Sequence, residues 1–246
     1  MKTIAMIPAR YAATRFPGKL MQVLGAKTVI RHTYDNTVAT GLFDEVFVVT
    51  DSDIIYEEIT RHGGKAKMSI RTHESGSDRI AEAVAGMDVD IVVNVQGDEP
   101  FVDTGTLQGL LNAFDDEEVM VASLMHELFE QADIENPNNV KVVVDKNSDA
   151  LLFSRSVIPF ARDRGTVANY YKHIGVYAYR KIALLQFTKW EQTNLEKIEK
   201  LEQLRYLENG VKIRMIITRH TGIGIDTPED LALARQFLSE QIKEKA

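Results

Sequence analysis

Arg10, Arg15 and Lys19 bring three cations together near the start of the chain, in the run IPARYAATRFPGK. Arginine offers a planar fork of donors and lysine a compact point charge, a combination able to grip a polyphosphate from several sides. Pro17 and Gly18 turn the backbone just ahead of the lysine. The run lacks the GxxxxGK[ST] order of a P-loop and the GxGxxG of a dinucleotide fold, so neither nucleotide hydrolysis nor hydride transfer is indicated. Residue by residue, a solvated basic loop has the same composition. The clustering directly after an apolar strand is what favours a phosphate site.

Two carboxylates could complement those cations. In VNVQGDEP an apolar run stops at Gly97, which sets Asp98 at the carboxyl end of a strand. Hard cations such as Mg²⁺ favour carboxylate, phosphate and water oxygens, so an acid beside a phosphate loop reads as a metal ligand. A polar turn closed by Pro100 is the plainer alternative. In GIGIDTPEDL, Asp226 directly precedes Thr227, Pro228 and two acids, the start of a helix with threonine at the N-cap and proline at N1. Asp98 and Asp226 could share one divalent ion; a capping aspartate one residue out of register fits the same pattern equally. Ser75 to Arg79 (SGSDR) is a polar turn before a helix, able to offer hydroxyls, N–H groups and a guanidinium to a base or a phosphate, or simply to cap. His173 and Tyr177 lie four apart and share a strand face, toward a ligand or toward the core.

The elements that must hold these residues alternate. Thr3–Ile7, Glu45–Thr50 and Asp90–Val95 are short apolar runs of the kind found in buried parallel strands, and Lys65–Ser69 is a candidate fourth. Between them, Thr28–Gly41 (with Val29, Ile30, Tyr34 and Val38 on one face), the stretch from Asp51-Ser52-Asp53 to Gly63-Gly64, and Ser77–Met87 read as helices. Thr104–Phe114 is a further helix and Val119–Leu124 a further strand. Strand–helix alternation predicts an α/β fold with a mostly parallel sheet covered on both faces and ligands outside the strand carboxyl ends. The second half is less regular: strands at Val140–Val144, Ala150–Phe153, Lys172–Tyr179 and Val211–Thr218, and a charged helix over Leu195–Asn209. That charge run reads as a solvated face, and its apolar stripe drifts, so it assigns no face to Glu202 or Gln203. No repeat or linker interrupts the chain, which favours a single domain over residues 1–246.

Composition sets limits. The net charge of −7 over 246 residues argues against a general nucleic-acid binder without excluding a local cationic pocket. No apolar run approaches the roughly 20 residues needed to span a bilayer, and no basic leader precedes the first strand. With no cysteine, disulfides, thiolate nucleophiles and thiolate metal sites are out. A cytoplasmic enzyme is the expectation.

Taken together and in order, IPARYAATRFPGK, HESGSDR, VNVQGDEP, NPNNVKVVVD, FSRSVIP, HIGVY, LEKIEKLEQLR and GIDTPEDL resemble the cytidylyltransferases that activate acidic sugars, most closely the 3-deoxy-manno-octulosonate (KDO) cytidylyltransferase, or CMP-KDO synthetase, family. The resemblance implies a nucleotide-diphospho-sugar-transferase-like (Rossmann-like) fold. Its first half, 1–125, would mainly bind CTP; its second, 126–246, would mainly bind the sugar and build a homodimer. It implies CTP and KDO as substrates, CMP-KDO for lipopolysaccharide synthesis and pyrophosphate as products, and Mg²⁺ as cofactor. By the same resemblance Arg10 and Lys19 would hold the triphosphate with Arg15 in support, and Asp98 and Asp226 would bind the metal. Ser75, Arg79 and Gln96 would lie around the cytidine or sugar, and His173, Tyr177, Glu202 and Gln203 around the sugar acid. An 8-amino-KDO or a sialic acid is the alternative acceptor. A nucleotide-binding regulator without catalysis is the alternative of another class, weakened by the presence of both Asp98 and Asp226. One departure stands out: the family places proline after the loop lysine, where this chain has Leu20-Met21, a change expected to alter the loop's exit more than its charge.

Overall fold

The computed structural model describes residues 1–12, 16–71, 73, 75–163, 168–220 and 222–244, with backbone alone for 241–244. Two compact units form: Met1–Thr104 joined by Gly222–Ala246, and Gly105–Thr221. The last segment of the chain thus belongs with the first.

In the first unit, β1 (Thr3–Ala9) lies between β4 (Glu45–Thr50) and β6 (Ile91–Asn94), and β5 (Ala66–Met68) flanks β4. All four run parallel. Ile4, Ala5, Met6 and Ile7 are wholly buried, as expected of a strand covered on both faces. A small antiparallel ribbon, β2 (Val23–Leu24) with β3 (Lys27–Thr28), precedes the first helix. Helix α1 (Val29–Ala39) begins at Thr28, whose hydroxyl accepts from the Arg31 N–H. Its buried face is not the fully apolar one the sequence suggests. Val38 is 48% exposed, while Thr33 and Thr37 are buried, each turning its hydroxyl onto a backbone carbonyl four residues earlier. A hydrogen-bonded threonine can therefore sit where an apolar residue is expected. Helix α2 (Asp53–Arg61) has Ser52 at its N-cap without a side-chain capping bond, and α3 (Gly76–Val84) is capped by Ser75. The C-terminal helix, Pro228–Glu244, starts as read: the Asp226 and Thr227 N–H groups donate to the Asp230 carboxylate, and the Asp230 N–H donates to the Thr227 hydroxyl.

The second unit is mostly antiparallel. Here α4 (Thr104–Asn112) leads to β7 (Val121–Leu128), which pairs antiparallel with β10 (Tyr170–Arg180) and parallel with β11 (Ile213–Ile217). The short helix α5 (Gln131–Glu135) precedes β8 (Lys141–Val144), which pairs antiparallel with both β10 and β9 (Ala150–Ser154). Lys141 is fully buried. Its ammonium donates to the carbonyls of Asn136, Asn139 and Arg155 at 3.1, 2.7 and 2.6 Å, pinning the NPNN turn to the end of β9. After β10 comes α6 (Lys181–Phe187).

The single charged helix expected over Leu195–Asn209 is two: α7 (Asn194–Glu199) and α8 (Leu204–Glu208), separated where Lys200 adopts φ 56°. Nor is its charge all solvated. Glu196 and Arg205, 3% and 7% exposed, form a bidentate pair at 2.5 and 2.7 Å, and the Arg205 guanidinium lies 4.1 Å from the Phe187 ring centre. The drifting apolar stripe in the sequence marks this corner. The helix has been broken and re-aimed there. The α/β class stands, with the parallel strands concentrated in the first unit.

Candidate active site

Strand order places the site. From β1 the chain crosses to β4 and then β5 on one side, and returns past β1 to β6 on the other. The reversal between β1 and β6 is a topological switch point, where crossovers diverge and open a crevice at the strand carboxyl ends. The loop after β1 carries Arg10 and Lys19; the turn after β6 carries Gln96 and Asp98. Those four side chains line a cavity of about 260 Å³ floored by Pro8, Leu20 and Gly97.

Local backbone geometry fixes each wall. Gly18 holds φ 67°, open space surrounds its missing Cβ apart from the Tyr11 ring at 3.7 Å, and its N–H donates to the Tyr11 carbonyl. Its conformation, not its size, calls for glycine. The Lys19–Met21 turn follows, burying Leu20 beneath the crevice. At Gly97 the reason is space: a Cβ would stand 3.0 Å from the Pro8 carbonyl oxygen and 3.3 Å from Ile30 Cδ1. The Thr33 hydroxyl donates to the Gly97 carbonyl at 2.9 Å, so α1 holds the turn from below. The Ile225 N–H donates to the Asp98 carbonyl at 2.9 Å, stitching the segment before the C-terminal helix onto the same turn.

That stitch brings the two acids together. Lys19 Nζ lies 2.5 Å from Asp98 Oδ2 and 2.8 Å from Asp226 Oδ1, so residues more than a hundred positions apart share one ammonium. Burial alone would lower the Lys19 pKa, but Asp98 and Asp226 more than offset it and hold the pKa above its usual value. Asp98 and Asp226 can therefore converge on a single cation. Their donors are hard oxygens, which suit Mg²⁺. Among the described residues no group of three or more His, Asp or Glu side chains could hold a metal.

Arg79 plays a part its sequence context did not suggest. It is 1% exposed, and its guanidinium donates to the Ala9 carbonyl at 3.1 Å and to Asp51 Oδ2 at 2.6 Å. It thereby clamps the carboxyl ends of β1 and β4 from beneath. The Arg79 hydrogen bond in turn holds the Asp51 carboxyl below the usual range. Ser75 caps α3, accepting from the Asp78 N–H at 3.1 Å, and Gly76 brings that helix onto Pro8. Arg15 lies outside the described residues.

A separate group forms in the second unit. His173 contacts Ser123, Gln203, Phe153 and Tyr177, with the two rings of His173 and Tyr177 5.3 Å apart. Burial takes the His173 imidazole down to about 3, so it is neutral throughout the ordinary pH range, and burial likewise pushes the Tyr177 phenol up. Glu202 sits in the turn between α7 and α8 beside Gln203, and its charge adds to the rise at Tyr177. The predicted residues thus fall into two groups. Arg10, Lys19, Gln96, Asp98 and Asp226 meet in the first unit, with Arg79 and Ser75 supporting them, and His173, Tyr177, Glu202 and Gln203 gather in the second.

Residues 4–213 match the family model for cytidylyltransferases. A 3-deoxy-manno-octulosonate cytidylyltransferase of Flavobacterium johnsoniae is 61% identical over 98% of this chain and all of its own length; that of Christiangramia forsetii is 56% identical over 97% of each. The chain belongs to the 3-deoxy-manno-octulosonate cytidylyltransferase family. A CMP:2-keto-3-deoxy-manno-octonic acid synthetase solved with CTP superposes with a TM-score of 0.94 at 38% identity, covering 98% of this chain and the whole of the other. A 4-diphosphocytidyl-2C-methyl-D-erythritol synthase of Anaerococcus prevotii, 16% identical with a TM-score of 0.65, covering 97% of this chain and 99% of its own, shares the fold.

For this cytidylyltransferase, sequence patterns missed Ser123, Glu196 and Arg205. Ser123 left one trace, a hydroxyl inside the otherwise apolar run VASLM. Glu196 and Arg205 left none, since a charged pair nine residues apart in a charged segment looks like any other.

Proposed function

We propose that this chain transfers CMP from CTP to the anomeric hydroxyl of 3-deoxy-manno-octulosonate, releasing pyrophosphate in a Mg²⁺-dependent reaction. The observation that carries this reading is Lys19 held between Asp98 and Asp226 in a crevice also lined by Arg10 and Gln96. The family relatives supply the identity of the sugar.

Charge is the chemical difficulty. Acceptor and donor are both anions, and two unit charges about 4 Å apart repel by roughly 4 kcal/mol at an effective dielectric near 20. Asp98 and Asp226 would hold the Mg²⁺, whose chemistry when bound is to polarise phosphate oxygens and neutralise their charge. Arg10 and Lys19 would grip the outer phosphates and offset the charge that grows on the departing pyrophosphate. Gln96, in the turn after β6, would donate to the nucleotide or the sugar. In the second unit, neutral His173 with Tyr177, Glu202 and Gln203 would bind the sugar acid through its hydroxyls. Burial makes His173 a weak base, so it is assigned to binding the sugar and not to taking the hydroxyl proton. The chain would act as a homodimer in the cytoplasm. Apolar side chains left open on β9 and the segment after it, Leu151 at 62% and Phe160 at 85% exposure, support a partner surface in the second unit.

Pyrophosphate release from CTP tests the reaction, measured with 3-deoxy-manno-octulosonate, its 8-amino analogue or a sialic acid, each with and without Mg²⁺. Release with the first sugar, requiring the metal, is expected. Release with none of them overturns the reading; a preference for another sugar corrects the acceptor. Sedimentation equilibrium checks the dimer, and Phe160→Glu should shift it toward monomer.

A further inference from the structure

Strand β10 carries two extra residues opposite β7: Ile174 pairs with Leu124, and the next pairing joins Tyr177 to Ser123. The bulge brings the carbonyls of Ile174 and Val176 within hydrogen-bonding reach of one side chain on β7. That side chain is Ser123, which is wholly buried. Its Oγ lies 2.9 Å from the Val176 oxygen, 3.2 Å from the Ile174 oxygen and 3.0 Å from His173 Nε2, and it is hydrogen-bonded to the Tyr177 phenol as well.

A hydroxyl has one hydrogen and two lone pairs. The carbonyls can only accept, so the Ser123 hydrogen goes to Val176, the nearer of the two, with Ile174 in a shared position. What reaches Ser123 from His173 must then be a donor, which puts the imidazole hydrogen on Nε2. The other ring nitrogen agrees. Gln203 Nε2 approaches His173 Nδ1 at 3.4 Å, and an amide NH₂ can only donate. Nδ1 is therefore an acceptor, held by a contact at the outer limit of a hydrogen bond and open to exchange for a better one.

We propose that Ser123 is a positioning residue of the acceptor pocket, holding His173 as the neutral Nε2–H tautomer so that Nδ1 accepts a hydrogen bond from a hydroxyl of the sugar acid. The assignment of that sugar rests on the function proposed above; the tautomer does not. Recognition at this point is by hydroxyl geometry, and the sugar's carboxylate must find its counter-charge elsewhere.

The tautomer is read from the long-range ¹H–¹⁵N spectrum of His173 in the sugar-free protein, and the consequence from steady-state kinetics. Wild type should show the Nε2–H pattern. Ser123→Ala should lose it and raise the KM for the sugar about tenfold, the loss of one well-formed hydrogen bond, with the KM for CTP unchanged. Ser123→Thr, which keeps the hydroxyl, should restore both and guards against a general folding defect in the alanine variant. An Nδ1–H pattern in wild type overturns the proposal, as does a normal sugar KM in Ser123→Ala, or an equal rise in the KM for both substrates. Failure of wild type to turn over any acidic sugar would instead strike the functional reading, and is seen separately from the spectrum.

Discussion

Burial works against the Lys19 ammonium, but two carboxylates more than offset it and hold the charge more firmly than usual, which makes Lys19 the residue on which the nucleotide site turns. Its ammonium satisfies Asp98 and Asp226 at once, and one lysine cannot bind both acids and a triphosphate fully. Removing the charge separates the two roles. Lys19→Met should let the nucleotide-free protein bind Mn²⁺ more tightly, followed by electron paramagnetic resonance, and should raise the KM for CTP at least tenfold. Unchanged Mn²⁺ binding would show that the ammonium does not compete for the carboxylates. Asp226→Asn is the converse. It keeps the backbone bonds to Asp230 and the stitch through Ile225, so CTP binding should hold within a few-fold while kcat falls by two orders of magnitude or more. Equal turnover at saturating Mg²⁺ would remove Asp226 from the metal site.

Between residue and fold stand the turns that aim these groups. Gly97 is the tightest: its missing Cβ would meet the Pro8 backbone oxygen, which cannot swing aside as a side chain could. Gly97→Ala should therefore move the turn bearing Gln96 and Asp98, lowering stability by about 1–3 kcal/mol as overpacking does and raising the KM for CTP. A thermal melt with CTP kinetics would check it, and wild-type values in both would show that the turn has slack. Much at this scale was legible in advance. The strand–helix alternation, the cap at Thr227 with Pro228, and Asp98 at a strand end each followed from local pattern, because each is decided by neighbouring residues. The rest depended on long-range partners. Arg79 looks in sequence like a ligand at a helix start, but Asp51, 28 positions earlier, and the Ala9 carbonyl draw it under the sheet. The break at Lys200 left only a drifting apolar stripe in the sequence, because Glu196 and Arg205 give the segment the composition of an exposed helix, and their mutual burial is what fixes the corner. Ser123 left only a lone hydroxyl in an apolar run, since the bulge that needs it arises on another strand.

For the molecule as a whole, the single tryptophan, Trp190, lies in the second unit against Tyr206, the same unit that buries His173. Its fluorescence can therefore follow the unfolding of the unit whose acid sensitivity His173 should set. Folded, His173 has its pKa lowered from 6.5 to about 3 by burial. Unfolded, it takes up a proton as soon as the pH falls through its ordinary value. Between those limits the unfolded chain binds more protons than the folded one, so stability is full above about 6.5 and declines as the pH falls toward 3. The decline approaches 1.36 kcal/mol per pH unit, or about 2 kcal/mol by pH 5. Urea melts of wild type and His173→Gln at pH 7 and pH 5 measure it. The variant should be less stable at pH 7, having lost the ring that fits between Phe153 and Tyr177, yet lose about 2 kcal/mol less than wild type on acidification. The comparison stops at pH 5 because Glu45, Glu82 and Glu208, all held below the ordinary value of 4.5, contribute their own loss at lower pH. Parallel pH responses in the two proteins would mean that His173 can be protonated without unfolding, and that the second unit opens to admit the charge.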